Sequence, residues 1–210
     1  MLVNYGLIYK VTSYKENDLI LHVFTKSGKI TYFSKNASNY KTKNNLFSHV
    51  LSLISFELTP KNNLINIKLI NDFASIKSNL SMYKNASIIL EVIDKLIIEN
   101  HDACLFYLIC DTLKNLTNTE LICFLYRLMS ILGFKLNLTK NKEPISGISV
   151  INGGISNDNI DLSLEKSLIF VKIILKDNII LENQDYDLFK KFFSDYIKFH
   201  FNVKINSLLC

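Results

Sequence analysis

The stretch that decides the fold is residues 5–43, which read YGLIYKVTSYKENDLILHVFTKSGKITYFSKNASNYKTK. Its aromatic and β-branched residues are typical of a half-buried pleated surface, and they predict three short strands over residues 6–11, 19–25 and 29–34. Gly28 lies in the turn between the second and third strands, where it supplies the positive φ that a tight hairpin needs. A strand followed by a hairpin is therefore expected at the start of the chain.

The second of these strands is apolar on both faces. Residues that alternate along a strand point to opposite sides of the sheet, and the two alternating sets are Leu19, Leu21 and Val23, and Ile20, His22 and Phe24. This pattern predicts a strand in a small closed barrel, with one face in the core and the other partly covered.

Two further strands and a helical region follow. Residues 46–58 suit one long strand or two short ones. Apolar and polar residues alternate over residues 64–69, which predicts a fifth strand with one solvent-exposed face. Five short strands are the number found in an OB barrel.

The rest of the chain is predicted to be mainly helical. Helical periodicity recurs over residues 81–97, 103–116 and 120–132, with capping residues near Thr117 and a helix stop at Gly133. Residues 162–181 are ambiguous but long enough to favour a helix, and residues 184–201 form an aromatic-rich helix.

Positive charge is concentrated in the predicted barrel. Residues 1–43 hold seven lysines against Glu16 and Asp18, a net +5 that equals the net charge of all 210 residues. A basic β-module joined to a neutral remainder suggests a surface that meets polyanions. Ordinary solvated lysines are the alternative interpretation, and charge alone does not decide between the two.

Motifs in the same stretch resemble the N-terminal OB-fold of the RecO family. The family pattern of a Gly-Ile-Val-Leu-Lys strand, Tyr-x-Glu-Asn-Asp, an apolar strand ending in Thr, a Gly-Lys-Ile turn and a basic loop is matched in order and spacing. The matching residues begin at Gly6, Tyr14, Leu19, Gly28 and Lys35. Later matches are residues 127–134, the Gly153-Gly154 step, and a closing signature of Tyr196, His200, Lys204 and Ser207, in which Asn202 replaces the usual glycine.

The resemblance implies an α+β fold in which a five-stranded OB-fold barrel precedes an α-helical domain. We expect the nucleic-acid-binding barrel over residues 1–77 and the helical domain over residues 78–210. Within the latter, residues 135–163 correspond to a lobe that in many relatives holds a structural zinc on two C-x-x-C pairs. No cysteine or histidine lies between Phe134 and Phe199, so the sequence predicts no zinc. Apolar packing through Ile145, Ile148, Val150 and Ile155 is expected to hold the lobe instead.

No catalytic motif or cofactor site is evident. The histidines at positions 22, 49, 101 and 200 are scattered, and none pairs with a nearby serine, cysteine or carboxylate in a recognisable triad or helix motif. No glycine-rich phosphate loop is present. His200 is expected to be a structural residue at a helix end. The cysteines, at positions 104, 110, 123 and 210, form no C-x-x-C pair, which favours a reducing compartment. No apolar run is long enough for a membrane span and no signal peptide is recognised, so a cytoplasmic location is expected.

Single-strand binding by OB folds combines a basic groove with aromatic side chains on which bases stack. The candidates for phosphate contacts are Lys10, Lys29, Lys35, Lys41 and Lys43. The candidates for stacking are Tyr9, Tyr32, Phe33 and Tyr40, of which Tyr40 is preferred and at least half are expected to be core residues.

The resemblance further implies a recombination mediator without catalysis. Such a protein binds single- and double-stranded DNA, anneals complementary strands and, with RecR, loads RecA on strands coated by single-strand-binding protein (SSB). The C-terminal tail of SSB is expected to bind the helical domain, where Arg127 is a candidate cation. The alternative is a protein adaptor that binds RecR or SSB and has little affinity for DNA.

Overall fold

The computed structural model describes residues 3–59, 64–97, 103–139, 145–175 and 181–209. By their contacts these residues divide into two compact units, Met1–Lys114 and Asn115–Cys210. The first unit therefore contains the barrel together with the helices that follow it directly. The division into a barrel domain over residues 1–77 and a helical domain over residues 78–210 stays a prediction.

The first unit is built on a five-stranded antiparallel sheet in the order β3-β2-β1-β4-β5. Its strands are β1 (Val3–Tyr14), β2 (Asp18–Thr25), β3 (Gly28–Ser34), β4 (Ser52–Leu58) and β5 (Leu64–Asn71). Gly28 has φ +137° in the β2–β3 turn, as the hairpin requires. The predicted five-stranded OB-fold architecture is confirmed.

One part of the strand prediction is wrong. Residues 46–58 do not form strand throughout, because a 3₁₀ turn at Lys43–Phe47 precedes β4. Phe47 is buried in the barrel core from that turn, where it packs with Ile8, Val23 and Phe56. Its apolar character therefore reflects core packing and not a strand.

Side chains on the two faces of β2 have different surroundings. Leu21 and Val23 lie in the barrel core, whereas Phe24 packs on the outer side against Phe106, with ring centroids 6.0 Å apart. Phe106 belongs to α3 (Ala103–Lys114), which follows α1 (Ala74–Lys77) and α2 (Leu80–Leu96). The prediction that the outer face of the second strand is partly covered is confirmed, because Phe24 is buried whereas Ile20 and His22 are only half-buried.

The second unit combines helices with a small three-stranded sheet. It contains α4 (Asn118–Ile131), β6 (Gly147–Ser149), β7 (Gly154–Ser156), β8 (Leu162–Ser163), α5 (Leu164–Ile174) and α6 (Asn183–Phe201), and a 3₁₀ turn at Asn206–Leu209. Thr117 caps α4 by accepting the backbone N–H of Glu120 at 3.1 Å. Asn202 ends α6 with φ +54°, a left-handed conformation that asparagine tolerates in place of glycine.

Aromatic side chains form the centre of this unit. The ring of Phe170 on α5 lies 5.4 to 6.0 Å from those of Phe189, Phe192 and Phe193 on α6. Tyr126 on α4 contacts the same phenylalanine edge-to-face. The ambiguous segment is therefore helical at residues 164–174, because one of its faces packs against the aromatic face of α6.

The lobe at residues 135–163 is held by apolar and hydrogen-bonded contacts in its described part. Ile148 is fully buried on β6, the central strand of the three-stranded sheet, whose order is β7-β6-β8. Tyr196 donates its hydroxyl to the carbonyl of Phe134 at 3.0 Å, and His200 Nε2 lies 3.0 Å from the carbonyl oxygen of Val150. His200 thus has a structural contact. Residues 140–144, where one C-x-x-C pair is expected in relatives, lie outside the described residues.

The described residues contain neither a cluster of metal ligands nor a helix that could span a membrane. No group of three or more histidine, cysteine, aspartate or glutamate side chains within them could hold a metal ion. The donor set that a structural zinc needs is thus lacking among these residues, and they do not fit that metal. No helix within the described ranges is long and apolar enough to cross a membrane.

Candidate nucleic-acid interface

The basic loop, defined as residues 35–43, connects β3 to the 3₁₀ turn and is tied to the turn between β1 and β2. The backbone N–H of Asn36 donates to Asp18 Oδ1 at 2.9 Å, and that of Ser38 donates to the carbonyl of Asn17 at 3.1 Å. Asp18 and Asn17 belong to the predicted Tyr-x-Glu-Asn-Asp motif. The motif therefore has a structural task, which is to position the basic loop.

Internal hydrogen bonds also order the basic loop. Thr42 Oγ1 donates to the carbonyls of Asn36 and Asn39, both at 2.9 Å. Asn44 and Asn45 donate their side-chain amides to the carbonyls of Lys35 and Ala37, each at 2.9 Å. A loop held in this way pays less conformational entropy when it binds a ligand.

The cations of the basic loop point to solvent. Lys35, Lys41 and Lys43 are exposed, and none of them forms an ion pair with a described residue. No acidic residue occurs between positions 35 and 43. Tyr40 is 79% exposed, and the Nζ of Lys41 lies 5.7 Å from its ring centroid. The structure thus brings four of the six predicted DNA contacts together on one loop.

The other two predicted contacts lie elsewhere on the barrel. Lys10 Nζ is 2.9 Å from Asp94 Oδ2 on α2, and Lys29 Nζ donates to the backbone carbonyl of the same residue at 3.0 Å. The sequence does not indicate that Asp94 is a partner of Lys10, because the two are 84 residues apart and Asp94 lies in an ordinary amphipathic helix. That Lys10 and Lys29 bind phosphate stays a prediction. A phosphate at either lysine would have to compete with its contact to Asp94.

The barrel is similar in sequence to part of a known protein family. Residues 1–75 match the family model described as "Recombination protein O N terminal". These residues are thus similar to the N-terminal domain of the RecO family. The chain is also 33% identical over 139 residues to the DNA repair protein RecO of Clostridium perfringens (strain 13 / Type A). That alignment covers 64% of this chain and 55% of the relative, so the chain spans about half the length of the curated relative it matches. The resemblance to the RecO family is confirmed.

The aromatic candidates of the barrel differ in how far they are buried. Tyr9 is only 7% exposed, and Tyr32 packs against the barrel core, where burial raises the pKa of its hydroxyl. Phe33 and Tyr40 are exposed. Of the four stacking candidates, Tyr9 is therefore buried and Tyr32 is partly buried against the core.

A histidine lies beside the Lys10 contact on the outer face of the domain. His22 pairs with Lys10 in the strand register, and its Nε2 is 3.3 Å from Thr12 Oγ1. Burial lowers the pKa of His22, and the positive charge of Lys10 lowers it further. The neutral imidazole is thus favoured next to these cations.

Arg127 lies on α4, outside the residues that match the family model. It is half-buried and forms no ion pair with a described residue. Its position gives no further indication of a partner, and its role stays a prediction.

Proposed function

We propose that this chain is a DNA-binding recombination mediator of DNA repair, which binds single- and double-stranded DNA through the basic loop and anneals complementary strands. The observation that carries the proposal is the ordered basic loop, on which three exposed lysines and the exposed Tyr40 occur without an acidic residue. Similarity to a protein named DNA repair protein RecO supports it. The contacts at this site require no bond chemistry, in line with a protein that is not an enzyme.

Annealing requires that two phosphate backbones approach each other. A cationic surface lowers their mutual repulsion by replacing condensed counterions, which makes binding dependent on salt. Arg127 is the one arginine of the chain, so the phosphates are held by lysine ammonium groups, which act as point charges without bidentate geometry. Contact of this kind carries no sequence information, and binding is expected to be independent of sequence.

The partners of the mediator are part of the same proposal. With RecR, the chain helps load RecA onto SSB-coated single-stranded DNA in the cytoplasm, during repair of gaps and breaks. The C-terminal tail of SSB binds the second unit, and Arg127 is the candidate cation for its acidic residues. Co-precipitation with RecR and titration with an SSB tail peptide test these two contacts separately.

A titration with fluorescein-labelled single-stranded DNA tests the central part of the proposal. Three phosphate contacts on a single strand give a slope of log K against log salt of about −2, or roughly a 20-fold loss of affinity between about 50 and 200 mM salt. An annealing assay with complementary oligonucleotides should show the same dependence on salt. Absence of DNA binding at low salt, together with binding of RecR, would favour a protein adaptor instead.

A further inference from the structure

The outer face of β1, β2 and β3 is covered at one end and open at the other. At the covered end Phe24 is fully buried against α3, and Lys10 and Lys29 contact Asp94. At the open end β1 finishes with Tyr14, and Phe33 pairs with Ile20 across the β2–β3 register. OB folds bind oligonucleotides on the face of strands 2 and 3, next to the loop that joins strands 1 and 2. The open end occupies that position.

Two exposed aromatic rings form a pair at this open end. Tyr14 is 44% and Phe33 is 40% exposed, and their ring centroids lie 5.5 Å apart with an interplanar angle of 84°. In such an edge-to-face pair each ring fixes the orientation of the other, and each keeps a face that its partner does not cover. The pair is therefore an ordered aromatic surface open to a ligand.

Cations surround this aromatic surface. Lys15 Nζ lies 5.4 Å from the centroid of the Tyr14 ring. Phe33 is separated from Lys35, the first residue of the basic loop, by Ser34 alone, and the hydrogen bond from Ser38 N to Asn17 O joins the loop to the turn that contains Lys15. A ligand at this site thus meets exposed aromatic ring faces and several ammonium groups together.

We propose that Tyr14 and Phe33 form a stacking site for a base of single-stranded DNA, while Lys15 and the basic loop hold the adjacent phosphates. This inference rests on the proposed function and adds the residues that recognise bases. A nucleotide combines a planar base with an anionic phosphate, which is the combination that this surface complements. An acidic protein segment could use the lysines, but it would not depend on unpaired bases.

The test compares two oligonucleotides of equal length, one of thymidine and one with abasic sites throughout. Both carry the same phosphates, so their difference in affinity isolates the bases. We expect Tyr14→Ala and Phe33→Ala each to weaken binding of the thymidine oligonucleotide by at least about fivefold, the lower end for loss of one stacked base. Binding of the abasic oligonucleotide should stay within about twofold of the wild type.

Two variants control for the fold and for the ring itself. Tyr14→Phe keeps the aromatic face and should retain the affinity for the thymidine oligonucleotide. Tyr83→Ala removes a ring of similar exposure, 41%, from α2 and should change neither affinity. The chain contains no tryptophan, so its intrinsic emission comes from tyrosine. The part of the emission that thymidine DNA quenches should be smaller in Tyr14→Phe than in the wild type.

The outcomes separate this inference from the function on which it rests. If Tyr14→Ala and Phe33→Ala lose affinity equally for both oligonucleotides, or for neither, the stacking site is overturned. Phosphate binding by the basic loop would then still stand. Failure of the wild type to bind either oligonucleotide at low salt would overturn the proposed function and the stacking site together.

Discussion

The ammonium group of Lys10 and the carboxylate of Asp94 lie 2.9 Å apart, which joins the first strand of the barrel to α2. The backbone carbonyl of Asp94 also accepts a hydrogen bond from Lys29. One helical residue therefore engages two cations that the sequence assigns to DNA. Lys35, Lys41 and Lys43 of the basic loop have no such ion pair with a described residue.

Asp94→Asn should strengthen DNA binding by releasing Lys10. We expect single-stranded DNA to bind a few times more tightly at low salt, with a slope of log K against log salt steeper by about 0.7, the value for one added phosphate contact. The loss of stability should not exceed about 1 kcal/mol, because both partners are partly exposed. Asp111→Asn is the matched control, since it removes an equal charge from the exposed pair with Lys114. Equal effects of the two variants would contradict the release of Lys10.

His22 should make the stability of the first unit depend on pH. Its pKa is lowered in the folded state, mainly by burial, with Lys10 and Lys29 lowering it further and Asp94 opposing them. As the pH falls below about 6.5, the unfolded chain binds a proton at this histidine before the folded chain does, so stability is lost. His22→Gln should flatten the fall in urea midpoint between pH 7 and pH 5. An unchanged pH profile in His22→Gln would count against this assignment.

Gly154→Ala should destabilise the second unit strongly. A Cβ at this position would collide with the backbone of Asn137, which a change of rotamer cannot relieve. Overpacking of this kind costs about 1 to 3 kcal/mol or more. Gly133→Ala is the control, because its Cβ would have open space and only the left-handed backbone at φ +87° opposes it. Thermal denaturation of both variants measures the difference, and a cost for Gly154→Ala no larger than that for Gly133→Ala would be inconsistent with the packing at β7.

Thiol reactivity should separate two cysteines of α3. Burial raises the pKa of Cys110 to about 11, whereas Cys104 is exposed. Because the thiolate is the nucleophile, iodoacetamide at pH 8 should label Cys104 readily and Cys110 only after unfolding. Peptide mass spectrometry of the native and the urea-unfolded protein locates the label. Comparable native labelling of both thiols would show that α3 is less tightly packed than described.

Local sequence signals were sufficient for most of the fold. The double alternation in β2 predicted both the barrel core and a covered outer face, since each set of side chains needs apolar neighbours. Thr117 and Gly133 marked the ends of α4 because a helix end needs partners for its free backbone groups. The turn at Lys43–Phe47 was missed because Phe47 enters the core from a turn, and an apolar residue in a short segment does not reveal its backbone conformation.

The candidate site was less predictable than the fold. The lysines of the basic loop could be found because they lie within nine residues of sequence that contain no acidic residue. The contact of Lys10 with Asp94 could not be predicted from the sequence, because it depends on where α2 lies against β1. Tyr14 was visible only as part of a motif, and its pairing with Phe33 follows from the register of three strands.

The most direct test of the central claim is the salt dependence of single-stranded DNA binding by a variant in which Lys35, Lys41 and Lys43 are all glutamine. A matched control replaces three exposed lysines elsewhere, at positions 84, 135 and 191. If the basic loop holds phosphates, the slope of log K against log salt should become shallower by about 2 in the loop variant and stay close to the wild type in the control. Equal slopes in the two variants would contradict a DNA interface on this loop.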